Sequence, residues 1–175
     1  MERSVYLALG AREGEPRLQM RAGLGFLDRS GIRIVSVSSL YETEPVGIPS
    51  GPPVLNAALH GRTHLDPRAL LSACFGAEEE AGRRRSAPEW RSLDVDILLL
   101  GGVVLAAPDL VIPHPRFHAR RFNLAPLCEI APDLPHPLLG ATIRQLLAAC
   151  GDAAWVRAVE GPSWVGFVER GGAIR

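Results

Sequence analysis

Apolar residues run unbroken through SVYLAL (4–9) and stop at Gly10, which predicts a short buried strand. Over residues 15–29, Leu18, Met20, Ala22, Leu24, Phe26 and Leu27 recur at helical spacing, although Gly23 and Gly25 weaken the signal. In GIRIVSVSSLYET, Ile32, Ile34, Val35 and Val37 interleave with polar residues, so one strand is expected over 31–43. EPVGIPSGPP (44–53) holds four Pro and two Gly and predicts a constrained loop. VLNAALHGRT (54–63) reads as a strand. DPRALLSACFGAEEEAG (66–82) reads as a helix with Asp66 as N-cap, Pro67 at the first position and Gly82 as its stop.

A basic loop, RRRSAPEW (83–90), leads into RSLDVDILLLGG (91–102), where Leu93, Val95, Ile97, Leu98, Leu99 and Leu100 call for a buried strand. A hairpin is expected over 101–113, helices over RRFNLAPLCEIAP and TIRQLLAAC, and two short strands about a Gly161–Pro162 turn within 155–170. The order β-α-β-β-α-β predicts an α+β fold of ferredoxin-like type. Its antiparallel sheet would carry helices on one face, with additional C-terminal helices and a small C-terminal hairpin. Residues 1–150 are expected to form the main domain, with 151–175 an extension packed on it.

The strand at 91–102 also carries two carboxylates. Alternate side chains of a strand leave opposite faces, so Asp94 and Asp96 project together. Like charges in so apolar a run repel, and something positive is expected between them. Mg²⁺ takes oxygen ligands and commonly uses one or two protein carboxylates, which leaves room for substrate phosphates. A D-x-D pair alone is weak evidence and fits an acidic solvent face better; its context favours the metal. Arg83, Arg84, Arg85 and Arg91 lie just upstream and are suited to phosphate oxygens, though a solvated loop position suits Arg84 better. Downstream, IPHPRFHARRF holds His114 between Pro113 and Pro115, which stiffens its backbone, with Arg116, Arg120 and Arg121 following.

Composition narrows the partners. A chain of 175 residues suits one domain, and 47% hydrophobic with 22% charged residues is ordinary for a globular protein. Nineteen basic residues, all Arg, balance nineteen acidic ones, so no global field favours nucleic acid or an anionic membrane. Cys74, Cys128 and Cys150 lack C-x-x-C spacing, which speaks against a disulfide framework or thiolate zinc site and fits a cytoplasmic setting. No apolar run reaches the length of a membrane span, and the apolar start is too short for a signal peptide. P-loop, serine-hydrolase and zincin motifs are absent from the sequence.

RSLDVDILL followed by IPHPRFHARRF and LAPLCEIAPDLPHP resembles the 6-hydroxymethyl-7,8-dihydropterin pyrophosphokinase family, with further likeness in YLALG, SSLYETEPVG, VLNAAL and EEEAGR. The resemblance implies a ferredoxin-like fold, two Mg²⁺ ions, and transfer of the β,γ-diphosphoryl unit of ATP to the pterin hydroxymethyl oxygen, with release of AMP. By it, Asp94 and Asp96 would hold the metals. Arg83, Arg91 and His114 would be the catalytic contacts to the phosphates. Leu71, Glu78, Arg85, Ile97, His114 and Arg120 would line the ATP site. Thr43, Glu44, Pro45, Val46, Val54, Asn56 and Phe122 would bind the pterin, with Asn56 hydrogen-bonding it and Phe122 stacking on it. ATP and 6-hydroxymethyl-7,8-dihydropterin are then the expected partners of a monomer, with neither nucleic acid nor membrane.

Four positions depart from the family pattern. Arg12 replaces an Asn, Val54 an aromatic and Phe75 a Gln, while EWRS shortens a loop motif and leaves Trp90 out of step. Two rival readings accompany this one. Paired aspartates also serve two-metal nucleotidyl transferases on ferredoxin-like sheets, but neutral charge disfavours a polynucleotide substrate. A non-catalytic nucleotide- or RNA-binding module would need exposed aromatics, and only 6% of residues are aromatic.

Overall fold

The structure, a computed structural model, describes residues 1–44, 52–82 and 92–166. Its elements follow the chain as β1 (Arg3–Ala11), α1 (Pro16–Arg29), β2 (Ile32–Val37), β3 (Leu40–Thr43), β4 (Val54–Thr63), α2 (Pro67–Glu80), β5 (Asp94–Leu100), β6 (Leu105–Ala107), β7 (Leu110–Ile112), α3 (Arg121–Ile130), α4 (Ile143–Ala149) and β8 (Val156–Glu160). The main sheet runs β5-β1-β4-β3-β8, with β2 also paired to β4, and every pairing is antiparallel. The expected α+β, ferredoxin-like arrangement is present. β6 and β7 form the predicted hairpin.

Alternation along β1 builds two cores. Val5, Leu7 and Leu9 face Met20, Leu24 and Leu27 of α1 and Leu70, Cys74 and Ala77 of α2. Tyr6, with Ala58 and Leu98, faces Phe117 and the α3–α4 residues Leu124, Leu127 and Ile143. Helices therefore cover both faces of the sheet, not one. The reason lies in β5 and β4, whose even-numbered positions Leu98 and Ala58 are as apolar as their neighbours and need cover of their own. Each buried Leu contributes roughly 1.5–3 kcal/mol of transfer free energy, so neither layer is dispensable.

The strand expected over 31–43 is two strands. At the break, Ser38 is fully buried, and its N–H donates to Ala58 O while its Oγ accepts from Ala58 N–H. The hydroxyl thus replaces a ladder acceptor, and Ser38 O is released to accept from Trp164 Nε1 at 2.9 Å. The expected C-terminal hairpin does not form as drawn. β8 pairs with β3, and Pro162–Val165 turns as a 3₁₀ helix that drives Trp164 fully into the α1/α2 core. Pro162 has no N–H to give a ladder, and burial of the indole outweighs a second short strand. Residues 167–170 of that hairpin lie outside the described residues.

α2 begins as its sequence predicts, with Asp66 Oδ1 accepting from Arg68 N–H and Ala69 N–H. Gly23, which weakens α1 by propensity, is the point where Leu93 packs; a Cβ there would collide with Leu93 Cδ2. That contact seats the residue immediately before Asp94 against the core.

Candidate active site

Register across the sheet decides which polar residues meet. Gly10 of β1 lies opposite Asp94 of β5 and opposite Asn56 of β4, while Ala8 lies opposite Asp96 and Ala58. Directly opposed residues share a face, and Tyr41 is opposite Asn56. Asp94, Asp96, Asn56 and Tyr41 therefore project from the face that α3 covers, whereas Val95 and Ile97 point into the α1/α2 core. One pleat further along, Val54 is opposite Thr43, and Thr43 is opposite Val156. The site is a polar strip across one face, from two carboxylates to an amide.

Gly10 forms its floor. A Cβ there would stand 3.2 Å from Asn56 Oδ1, closer than side chains comfortably allow. Bare backbone thus separates the carboxylates from the amide. Asn56 is buried, and its Nδ2 donates to Thr43 Oγ1 at 2.8 Å and to Val54 O at 3.4 Å. These bonds fix the amide with Oδ1 toward Gly10. Asp94 is half-buried and Asp96 exposed, so both remain within reach of solvent and ligand. Glu78, buried on α2, accepts from Val95 N–H at 3.0 Å. This bond pins edge strand β5 at the residue between the two aspartates.

His114 stands at the carboxylate end, its N–H donating to Leu98 O at 3.0 Å. Its Nδ1 accepts from Arg116 N–H at 3.1 Å, so the neutral ring presents Nε2–H as a donor. Burial pushes the imidazole below its usual value; Asp96 opposes this, and Arg120 and Arg116 reinforce it. Arg120 Cζ lies 5.4 Å from the Phe122 ring centroid at the start of α3. The far end of α3 is anchored through Glu129, which accepts from Tyr41 OH at 2.7 Å and from Ser39 N–H and Oγ at 2.9 Å each. Burial and this bond to Glu129 raise the Tyr41 phenol well above its ordinary value, so it stays a donor.

The expected site residues thus divide. Asp94, Asp96, Asn56, Thr43 and Val54 share the strip, and His114, Arg120 and Phe122 lie on the segments that bound it. Leu71 and Ile97 pack their side chains against the α1/α2 core. Strand parity nevertheless sends the Ile97 peptide groups to the same open edge as Val95 N–H. Glu44 bonds through its backbone to Trp155 O at 3.3 Å. Pro45, Val46, Arg83, Arg85, Trp90 and Arg91 lie outside the described residues. Gly10 was not read from the sequence as part of the strip, and neither the burial of Asn123 on α3 nor the bond from Asp152 to the start of that helix was anticipated. Asn123 is buried, with Nδ2 lacking a partner among the described residues. A glycine ending a strand was the one available signal for Gly10; the others needed the tertiary fold. Among the described residues, no group of three or more His, Cys, Asp or Glu gathers as a metal cage, and no helix is long and apolar enough to cross a membrane.

A family model described as 7,8-dihydro-6-hydroxymethylpterin-pyrophosphokinase matches residues 6–132. The chain is 42% identical over 153 residues to a 2-amino-4-hydroxy-6-hydroxymethyldihydropteridine pyrophosphokinase of Pseudomonas aeruginosa, covering 86% of this chain and 93% of that one. It is 38% identical over 133 residues to the protein of the same name from Bacillus subtilis, covering 74% of this chain and 79% of the relative. Among solved structures, a Plasmodium falciparum HPPK-DHPS chain superposes with a TM-score of 0.70 at 17% identity, covering 85% of this chain and 45% of that longer one.

Proposed function

The chain belongs to the 7,8-dihydro-6-hydroxymethylpterin-pyrophosphokinase family, and on that premise we propose how its residues carry out the family's reaction. The activity is ATP-dependent diphosphoryl transfer in folate biosynthesis. The β,γ-diphosphoryl group of ATP passes to the hydroxymethyl oxygen of 6-hydroxymethyl-7,8-dihydropterin, and AMP leaves.

The observation that carries the residue assignment is the strip itself, with two carboxylates at one end and a fixed amide at the other, divided by Gly10. Asn56 and Thr43 hold the polar edge of the pterin, while Phe122 and Val54 cover its rings. Glu44, Pro45 and Val46 continue that contact along the chain. ATP lies along edge strand β5, its base meeting the Ile97 peptide groups near Leu71, and Glu78 braces β5 beneath it.

Asp94 and Asp96 fit Mg²⁺: they are paired hard-oxygen donors on one face, at least partly open, beside a glycine that leaves space. Two protein ligands leave most of each coordination sphere to water and phosphate, which supports two ions held jointly with ATP. Bound there, Mg²⁺ supplies charge neutralisation for the phosphates. His114 donates Nε2–H to a phosphate oxygen, and Arg120 and Arg85 hold the nucleotide phosphates. Arg83 and Arg91 stabilise charge that builds as the diphosphoryl group moves. No general base is assigned. One chain supplies every named residue, so the reading takes the monomer as the active unit, in a cytoplasm that keeps its three cysteines as free thiols.

The test is a single-turnover mixture of protein, MgCl₂, ATP and the reduced pterin. AMP and diphosphorylated pterin should form one to one. Release of free pyrophosphate or ADP in their place would refute the reaction. Mn²⁺ titration with a non-hydrolysable ATP analogue should give two equivalents in wild type, and fewer in Asp94→Asn.

A further inference from the structure

The family match ends at residue 132, yet the chain returns to the pterin end of the site after residue 150. α3 starts without a cap of its own, since Arg120 contributes no side-chain acceptor. Asp152 supplies one from 31 residues away: Oδ2 accepts from Arg121 N–H at 2.9 Å. Its other oxygen, Oδ1, accepts from Ala154 N–H at 3.0 Å, and Arg121 Nε donates back to Asp152 O at 3.0 Å. A carboxylate at a helix N-terminus also meets the positive end of the helix dipole. The residue after Arg121 is Phe122. The chain then runs through Trp155, whose carbonyl accepts from Glu44 N–H at 3.3 Å, into β8. There Val156 lies opposite Thr43, in the same row as Val54 and on the face of Asn56.

We propose that Asp152–Val156 is part of the pterin site, with Asp152 positioning Phe122 and Val156 walling the substrate beyond Thr43. This rests on the reading above, in which Phe122, Thr43 and Asn56 bind the pterin. The chemistry suits a flat heterocycle. An amide and a hydroxyl serve its polar edge, apolar side chains meet its rim, and a carboxylate fixes the helix that carries the stacking ring. Length and shape of the substrate edge are then read by a segment outside the part of the chain that the family match covers.

The experiment uses the full chain with Asp152→Ala, Asp152→Asn and Val156→Trp, each checked for fold by circular dichroism and thermal melting. Affinity for 6-hydroxymethyl-7,8-dihydropterin is measured with a non-hydrolysable ATP analogue and MgCl₂ present, and affinity for the analogue is measured alone. Asp152→Ala should weaken pterin binding about tenfold, the loss expected for one charge-assisted hydrogen bond, while analogue affinity holds within about twofold. Asp152→Asn, which keeps one acceptor oxygen, should fall between Asp152→Ala and wild type. Val156→Trp should weaken pterin binding at least as much, by filling the site. A purely structural role would lower both affinities together or neither. Either pattern in the folded variants, alongside normal wild-type turnover, overturns this inference alone. A wild type without turnover overturns the reading beneath it as well.

Discussion

Replacing Gly10 by alanine isolates the floor between carboxylates and amide. Gly10 does not use the left-handed backbone region, so alanine is conformationally admissible there. The new methyl would stand 3.2 Å from Asn56 Oδ1, and the amide would have to give way by a few tenths of an ångström. It has little freedom to do so, because Asn56 is buried and its Nδ2 is tied to Thr43 Oγ1 and Val54 O. Loosening one such bond costs about 0.5–1.5 kcal/mol. Against this, alanine lowers the entropy of the unfolded chain and returns about 0.4–1 kcal/mol. The two nearly cancel in stability, but not in binding, where only the displaced amide counts. Pterin affinity should therefore drop by about two- to twelvefold, with the melting temperature nearly unchanged and affinity for an ATP analogue retained. Calorimetric titration of each ligand into wild type and Gly10→Ala provides the assay. Unaltered pterin affinity in the variant would refute the placement of Asn56 Oδ1 at the substrate.

Asp94→Asn and Asp96→Asn should each abolish detectable turnover while circular dichroism stays native, because each removes a hard-oxygen metal ligand; wild-type-like rates in either would end the metal assignment. Trp164→Phe keeps most of the buried ring but leaves Ser38 O without its donor, so urea unfolding should show a loss of about 1–3 kcal/mol. An unchanged unfolding midpoint would mean that the indole bond contributes nothing. Burial depresses His60 and His136 below their ordinary value, with Arg62 adding to the first and His118 to the second. The unfolded chain then binds more protons than the folded one. The stability these rings contribute is complete above the unfolded pKa and is lost as pH falls from it through the lower folded value. Melting temperature should drop as pH falls below about 6.5, and His136→Leu should flatten that slope; a slope identical to wild type would remove His136 from the cause.

Local physics made much of this protein legible in its sequence. Asp66–Pro67 marked the start of α2 because a cap and a proline act within one turn. Asp94 and Asp96 announced a shared face because strand alternation needs no partner to operate. VLNAALHGRT kept its predicted bounds as β4 because a central strand, bonded to β1 along one edge and to β2 and β3 along the other, is held over its whole length. The resemblance then placed Asn56 and Phe122 at one site, which the pattern alone could not do. What tertiary structure decided were facts that depend on who lies opposite whom. Ser38 splits a strand because its hydroxyl finds Ala58, twenty residues away. Glu78 turns to the Val95 N–H because β5 is an edge with an open donor. Trp164 becomes core, and Asp152 caps a helix 31 residues before it. Helices on both faces follow from the same cause: burial is a property of neighbours, and neighbours are chosen by the whole chain at once.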